Sequence, residues 1–211
     1  LYYPEDGIND SSVSNPLWNA HLNNYNKGQE FGFTNNFIIE WFATHDFRLR
    51  AKFGLTKSDD TSDVRLSPLH SQFDDVSDTE KGLYTHTQTK GLVYEGDLAA
   101  TFGRLFADKH MVNAVAGFNF SSTKRENYGF SANGFTDDQF DSPSFANSYP
   151  NGESPDYSRT EKRAASFYIN GGYAYDNRYV LNVSARLDAS NRFGQDKNKR
   201  FEPTWSVGAK W

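Results

Sequence analysis

Phe47-Arg48-Leu49-Arg50-Ala51-Lys52-Phe53-Gly54-Leu55-Thr56 alternates without a break, one parity wholly apolar and the other polar or glycine. A period of two puts those sets on opposite faces of a β-strand, whereas a helix would scatter both around its circumference. Six other stretches repeat the pattern. Phe31, Phe33, Phe37, Ile39, Trp41 and Ala43 are backed by Glu30, Thr34, Asn36 and Glu40. Leu92, Tyr94, Leu98, Ala100 and Phe102 oppose Glu95, Asp97 and Thr101, and Val112 to Phe120 alternates in the same way. Ala165 to Tyr175, Tyr179 to Leu187 and Trp205 to Trp211 complete the series.

No helical pattern separates these segments, so the expected fold is all-β, an antiparallel up-and-down sheet of about seven long strands. The connections alternate between short turns (44–46, 103–111, 176–178) and long polar segments. In a meander this places every short turn at one end of the sheet and every long loop at the other, as in outer-membrane barrels. The expected layout is hairpins over 28–56, 84–120 and 164–189 and a last strand over 204–211. Extracellular loops over 1–27, 57–83, 121–163 and 190–203 join them.

A soluble β-sandwich is the competing reading, but its strands usually run about 5–6 residues. Here the alternation persists for roughly ten, enough for a tilted strand to cross hydrocarbon. Trp41 and Phe47, Phe102 and Phe106, and Tyr175 and Tyr179 flank the three short turns, as an interfacial girdle of aromatic rings would. The opposite face carries Glu40, Arg48, Arg50, Lys52, Glu95, Asp97, Arg186 and Asp188. Charges in a dry core cost several kcal/mol each unless paired, so this face belongs in a wide, water- or plug-filled lumen. Seven strands make only a sector of so large a transmembrane β-barrel. Glu40, Arg50, Arg186 and Asp188 are read as structural lumenal charges. A register set by Ala43 opposite Phe47 pairs Glu40 with Arg50, and Arg186 shares a face with Asp188.

Composition narrows the function. The 211 residues contain 22 Lys plus Arg, 27 Asp plus Glu and no cysteine. No basic face suggests nucleic-acid binding, and neither a Cys-based zinc site nor a thiol nucleophile is available. No apolar run approaches the length of a membrane helix. The chain begins at Leu1 without a signal-peptide pattern, so it is expected to be a piece of something longer. The acidic runs Asp59, Asp60, Asp63 and Asp74, Asp75, Asp78, Glu80 lack EF-hand spacing, as do Asp137, Asp138 and Asp141, and read as solvated loops. His21, His45, His70, His86 and His110 show no metal-ligand spacing. No nucleophile elbow or phosphate-binding glycine loop is present, so no catalytic, cofactor or metal residue is expected and the chain is not read as an enzyme. Tyr128, Phe130, Phe135, Phe140, Phe145, Tyr149 and Tyr157 are candidates for contact with a sugar or a partner, with loop self-packing as the alternative. No single residue among them is nominated for substrate.

Tyr175-Asp176-Asn177-Arg178-Tyr179-Val180-Leu181 leads into Ala185-Arg186-Leu187-Asp188-Ala189-Ser190-Asn191-Arg192-Phe193-Gly194 and then Phe201-Glu202-Pro203. This block resembles the SusC/RagA class of TonB-linked outer-membrane transporters. Asn15-Pro16-Leu17-Trp18-Asn19, followed by Asn24-Tyr25-Asn26-Lys27, looks like the Asn-Pro loop of the same class. Ala189 stands where the class usually has glycine, and Pro203-Thr204 only loosely matches its Pro-Ser. The resemblance implies a Gram-negative outer-membrane importer of a large nutrient, an oligosaccharide or peptide. It also implies a SusD-like surface lipoprotein, TonB–ExbB–ExbD acting through a plug domain that has no counterpart in these residues, and outer-membrane lipid around the wall. A passive porin-like or structural barrel, and a soluble β-rich carbohydrate-binding module, are the alternative functions.

Overall fold

The computed structural model describes residues 16–138, 142, 144, 146–150, 152–192 and 201–211. Asn15, Phe140, Asp141, Phe145, Phe193 and Gly194, named above, lie outside the described residues. Seven strands form one sheet in sequence order: β1 (Tyr25–Phe42), β2 (Phe47–Leu66), β3 (Leu83–Phe106), β4 (His110–Asn133), β5 (Asp156–Tyr175), β6 (Tyr179–Ser190) and β7 (Phe201–Lys210). A short helix α1 (Pro16–Asn19) precedes them, and a single 3₁₀ turn (Ser71–Phe73) follows β2.

The expected strand cores are present, but β2, β4 and β5 run well past their expected ends, and β1 and β7 each begin three residues early. β2 continues from the expected limit at 56 to Leu66, and β4 from 120 to Asn133. β5 starts at Asp156 rather than 164, and β7 at Phe201 rather than 204. The expected loop ranges 57–83, 121–163 and 190–203 are therefore too long. In these extensions both faces carry polar side chains, so the ladder continues without the apolar–polar contrast that marks a strand in sequence.

The registers are regular. Phe167, Ile169, Gly171 and Tyr173 of β5 face Leu187, Ala185, Val183 and Leu181 of β6, which face Pro203, Trp205, Val207 and Ala209 of β7. Between β1 and β2, the Ala43 amide donates to the Phe47 carbonyl (3.2 Å), and the hydroxyls of Thr34 and Thr56 meet at 3.2 Å. Phe120 covers Gly96 on the apolar face, and the Tyr168 ring covers Gly117 on the polar face; a Cβ at either glycine would collide with the ring.

Two hairpins close on left-handed residues. Asp176 and Asn177 both have φ 51°, and the Arg178 amide donates to the Tyr175 carbonyl at 3.0 Å. Ala107 and Asp108 have φ 47° and 56°, with the Lys109 amide on the Phe106 carbonyl at 3.2 Å. Paired positive φ values give the turn whose twist matches the flanking strands. Asp and Asn tolerate that region, but Ala107 does so at a steric cost.

Among the described residues the buried apolar side chains are Tyr84, Ala132 and Phe135, together with Pro68. The chain divides into two compact units, one of residues 1–31, 59–90 and 126–158, the other of 32–58, 91–125 and 159–211. All of these buried apolar side chains belong to the first. In the second, the apolar parity faces outward: Phe53, Leu181, Val183 and Leu187 are exposed, while Phe47 and Leu49 are half-buried. Among the described residues no second layer covers these side chains, as the sandwich reading would require. On β1, Ile38 and Phe42 are also exposed on the otherwise polar parity.

Relief of the left-handed strain at Ala107 gives the first prediction. Ala107→Gly should raise the unfolding free energy of the protein in detergent by about 1 kcal/mol. An unchanged or lowered urea midpoint would show that the turn is not strained.

Candidate functional site

The polar parity of the second unit gathers the charges singled out in the sequence, as two separate pairs. Arg50 Nε lies 3.2 Å from Glu40 Oε1 across β1 and β2, each side chain about one-third exposed (37% and 35%). The turn at Thr44–Asp46 sets this pairing by fixing the register. On β6, Arg186 Nε donates to both carboxylate oxygens of Asp188, at 2.8 and 2.7 Å, and its Nη2 donates to Ser166 Oγ at 3.1 Å. Asp188 sits directly opposite Ser166, and Arg186 opposite Tyr168, so the ion pair ties β6 to β5. Arg192, the next basic residue of the motif, contributes its backbone amide to Ser190 Oγ at 3.2 Å.

Around the second pair the same face carries amides and hydroxyls. Asn119, Tyr168, Asn170, Ser184, Thr204 and Ser206 line a shallow depression with Arg186. The Ser184 and Ser206 hydroxyls meet at 2.7 Å. Such a surface offers exchangeable hydrogen bonds with its charges already compensated, which suits contact with polar solutes or a polar protein surface rather than catalysis.

The first unit contains two networks that sequence reading missed. Tyr84 donates to Asp63 Oδ1 at 2.6 Å, and His86 Nδ1 lies 2.7 Å from the same oxygen. Burial works against the Asp63 charge, yet the hydrogen bonds from Tyr84 and His86 outweigh it and hold the carboxyl below its ordinary value. Burial, with Asp63 as its acceptor, pushes the Tyr84 phenol well up. The Phe130 ring packs on both, 5.8 Å from Tyr84 and 5.6 Å from His86.

Arg65 centres the other network and is fully buried. Its Nη1 donates to the Asn23 carbonyl (2.8 Å) and its Nη2 to the Asp138 carbonyl (3.1 Å), with the guanidinium 5.8 Å from the Phe135 ring centroid. Asn24 Oδ1 accepts from the Ser67 amide at 2.7 Å, Asn19 exchanges two bonds with Ser71, and Trp18 Nε1 donates to the Leu69 carbonyl. The Pro16-Leu17-Trp18-Asn19 segment is thereby fastened to the chain after β2. For the Tyr84–His86 network the available sequence signal was the aromatic alternation at 84/86 and 128/130.

The acidic runs do not converge: Asp59 accepts from Gln88 at 2.8 Å and Asp78 pairs with Lys81 at 2.8 Å. Among the described residues no group of three or more His, Cys, Asp or Glu could hold a metal ion. The candidate aromatics disperse too, with Tyr128 and Phe130 in β4, Tyr157 in β5, Phe135 buried and Tyr149 exposed.

No family model matches the sequence. The chain is 26% identical over 99% of its length to TonB-dependent receptor P26 of Formosa agariphila, of which it covers 21%. It is 29% identical over 46% of its length to TonB-dependent receptor P39 of the same organism, covering 9% of that protein. The structure of the RagAB peptide transporter matches 88% of the chain with a TM-score of 0.75 at 19% identity, the chain covering 20% of its counterpart. The RagAB peptide importer in its open-open state matches with a TM-score of 0.74 at 20% identity. The chain thus spans about a fifth of the length of the relatives it matches. The likeness to TonB-dependent receptor P26 covers nearly the whole chain, and the seven-stranded antiparallel sheet has the fold of part of the RagAB transporter structure.

Two predictions arise here. A folded-state pKa below the unfolded one means that the Asp63 carboxylate stabilises fully above about pH 4 and that its contribution disappears as pH falls through the folded value. Acid should therefore loosen the first unit, and Asp63→Asn should remove that part of the pH dependence, as read by amide exchange on β3. Removing the buried Arg65 head in Arg65→Met leaves two carbonyls without their donors, at about 1–3 kcal/mol each. Amide exchange over 16–24 and 134–138 should rise sharply while β5 and β6 stay protected.

Proposed function

We propose that this chain is a wall segment of the β-barrel of a TonB-dependent importer in the outer membrane of a Gram-negative bacterium. Its cargo is a large nutrient, an oligosaccharide or a peptide. The observation that carries this reading is the uncovered apolar parity of the second unit, bounded at the short turns by Trp41, Phe106, Tyr175 and Tyr179, all exposed. Single exposed apolar residues are ordinary, but a continuous face of them on strand after strand needs a non-aqueous partner. Hydrocarbon is that partner for alternating strands of this kind.

The polar parity then faces the lumen, with Glu40, Arg50, Arg186 and Asp188 as structural charges of the wall. The long connections 67–82 and 134–155 lie on the extracellular side. A SusD-like lipoprotein as capping partner, and TonB–ExbB–ExbD acting through a plug, follow from the likeness to TonB-dependent receptors and from the motif over 175–203.

The test is uptake by cells producing the full-length protein, with and without TonB. Energised import predicts that accumulation of the cognate oligosaccharide or peptide ceases without TonB while the protein stays in the outer membrane. Uptake that continues undiminished without TonB would support the passive-barrel alternative. A protein that is monodisperse without detergent would sink the membrane reading itself.

A further inference from the structure

On four neighbouring strands the apolar parity turns charged at a cation. Along β2 it reads Phe47, Leu49, Ala51, Phe53, Leu55 and then Lys57. Going the other way along β3, Leu98, Tyr94 and Leu92 lead to Lys90. On β4, Phe118, Phe120 and Ser122 lead to Lys124, and on β5, Phe167 and Ala165 lead to Arg163. Acids enter only after the first cation: Asp59 follows Lys57, Glu126 follows Lys124 and Glu161 follows Arg163. The chain has more acids than bases, 27 to 22, so composition does not favour a cation at all four boundaries.

Within the second unit part of this boundary is organised. Arg163 Nε donates to Glu161 Oε1 at 2.8 Å, and Arg159 Nη2 lies 3.6 Å from Glu161 Oε2. Arg163, foremost, together with Arg159 and Lys124, holds the Glu161 carboxyl below its ordinary value. Asn191 fixes the backbone of the cluster, donating to the Glu161 carbonyl (2.9 Å) and accepting from the Arg163 amide (2.9 Å). The Arg159 and Arg163 side chains are 50% and 65% exposed. Arg163, Arg159 and Lys124 thus share the Glu161 carboxylate, Glu126 follows Lys124 on the same parity, and Lys57 ends the apolar row of β2.

We propose that Lys57, Lys124, Arg159 and Arg163 form a docking surface for the phosphate-bearing headgroup of an anionic lipid, whose acyl chains lie against Phe120, Ala165 and Phe167. This rests on the outer-membrane reading above. The cations open sideways along a strand face rather than converging on an enclosed site, and the apolar row begins one outward position away. That arrangement offers a soluble phosphate nothing for its remaining surface and offers a lipid both of its halves a partner. Guanidinium groups suit the headgroup because they present several donors to phosphate oxygens.

The test uses the full-length protein in nanodiscs of phosphatidylethanolamine containing a minority of lipid A. Lipid A retained after re-extraction into mild detergent is counted by mass spectrometry. Wild type should retain it. Each cation near an anionic surface contributes on the order of fivefold, so Arg159→Gln with Arg163→Gln should weaken retention by about 25-fold. The charge-conserving pair Arg159→Lys with Arg163→Lys should restore most of it, and high salt should release it. Arg48→Gln with Lys52→Gln, on the opposite parity, should retain lipid A as wild type does. Retention by the glutamine pair equal to wild type, in discs that both proteins enter, overturns the lipid site alone. Inorganic phosphate that displaces lipid A and binds equally well without lipid would assign the cluster to a soluble anion and overturn the lipid assignment. Failure of wild type to enter the discs overturns the outer-membrane reading on which the site rests.

Discussion

Everything in this chain depends on the backbone ladder keeping one register along each strand, because a slip of a single residue would exchange its two faces. The turns defend that register. The left-handed pair Asp176 and Asn177 fixes Tyr175 opposite Tyr179, and from there Phe167 meets Leu187 and Ser166 meets Asp188. Neighbouring hairpins are also stitched at their tips, the Gly103 amide to the Asp46 carbonyl at 2.9 Å and the Asp176 amide to the Lys109 carbonyl at 2.7 Å. In hydrocarbon no water can replace a missing ladder bond, so a wall can be built this way only if the pairing is complete.

Side-chain packing within the sheet follows from that register. Phe120 over Gly96 and Tyr168 over Gly117 let large rings lie across a neighbouring strand where no Cβ obstructs them. The charged pairs are local for the same reason: Glu40 meets Arg50 across one ladder, and Arg186 meets Asp188 two residues along one strand. Neither pair is a large stabilising term, since exposed or half-exposed pairs contribute about 0–1 kcal/mol. Their effect is that this face carries charge of both signs without repulsion.

The strand cores were legible in the sequence because one face had to be apolar throughout; Phe47 to Thr56 could be read as nothing else. The Glu40–Arg50 pair followed from the short turn beside it. What was not legible were the strand extensions Lys57–Leu66 and Ser121–Asn133, where polar residues on both faces remove the contrast that periodicity detects. Arg65 was missed for a different reason. Its partners, the carbonyls of Asn23 and Asp138, are 42 and 73 residues away in sequence, and a bond to a backbone carbonyl leaves no residue-type signature at either end. The Trp18 and Asn19 contacts were visible only as part of a motif, without the physical role that their bonds to Leu69 and Ser71 supply.

The central claim is that the apolar parity faces lipid while its alternate faces water. The absence of cysteine from these residues makes it directly measurable. Single cysteines placed in the full-length protein at Leu49, Arg50, Ala51 and Lys52 on β2, and at Leu181, Asn182, Val183 and Ser184 on β6, would carry a spin label in a reconstituted bilayer. Collisions with oxygen, which concentrates in hydrocarbon, should peak at positions 49, 51, 181 and 183. Collisions with a water-soluble nickel chelate should peak at positions 50, 52, 182 and 184. A profile without that period of two, or with oxygen favouring positions 50, 52, 182 and 184, would contradict the account.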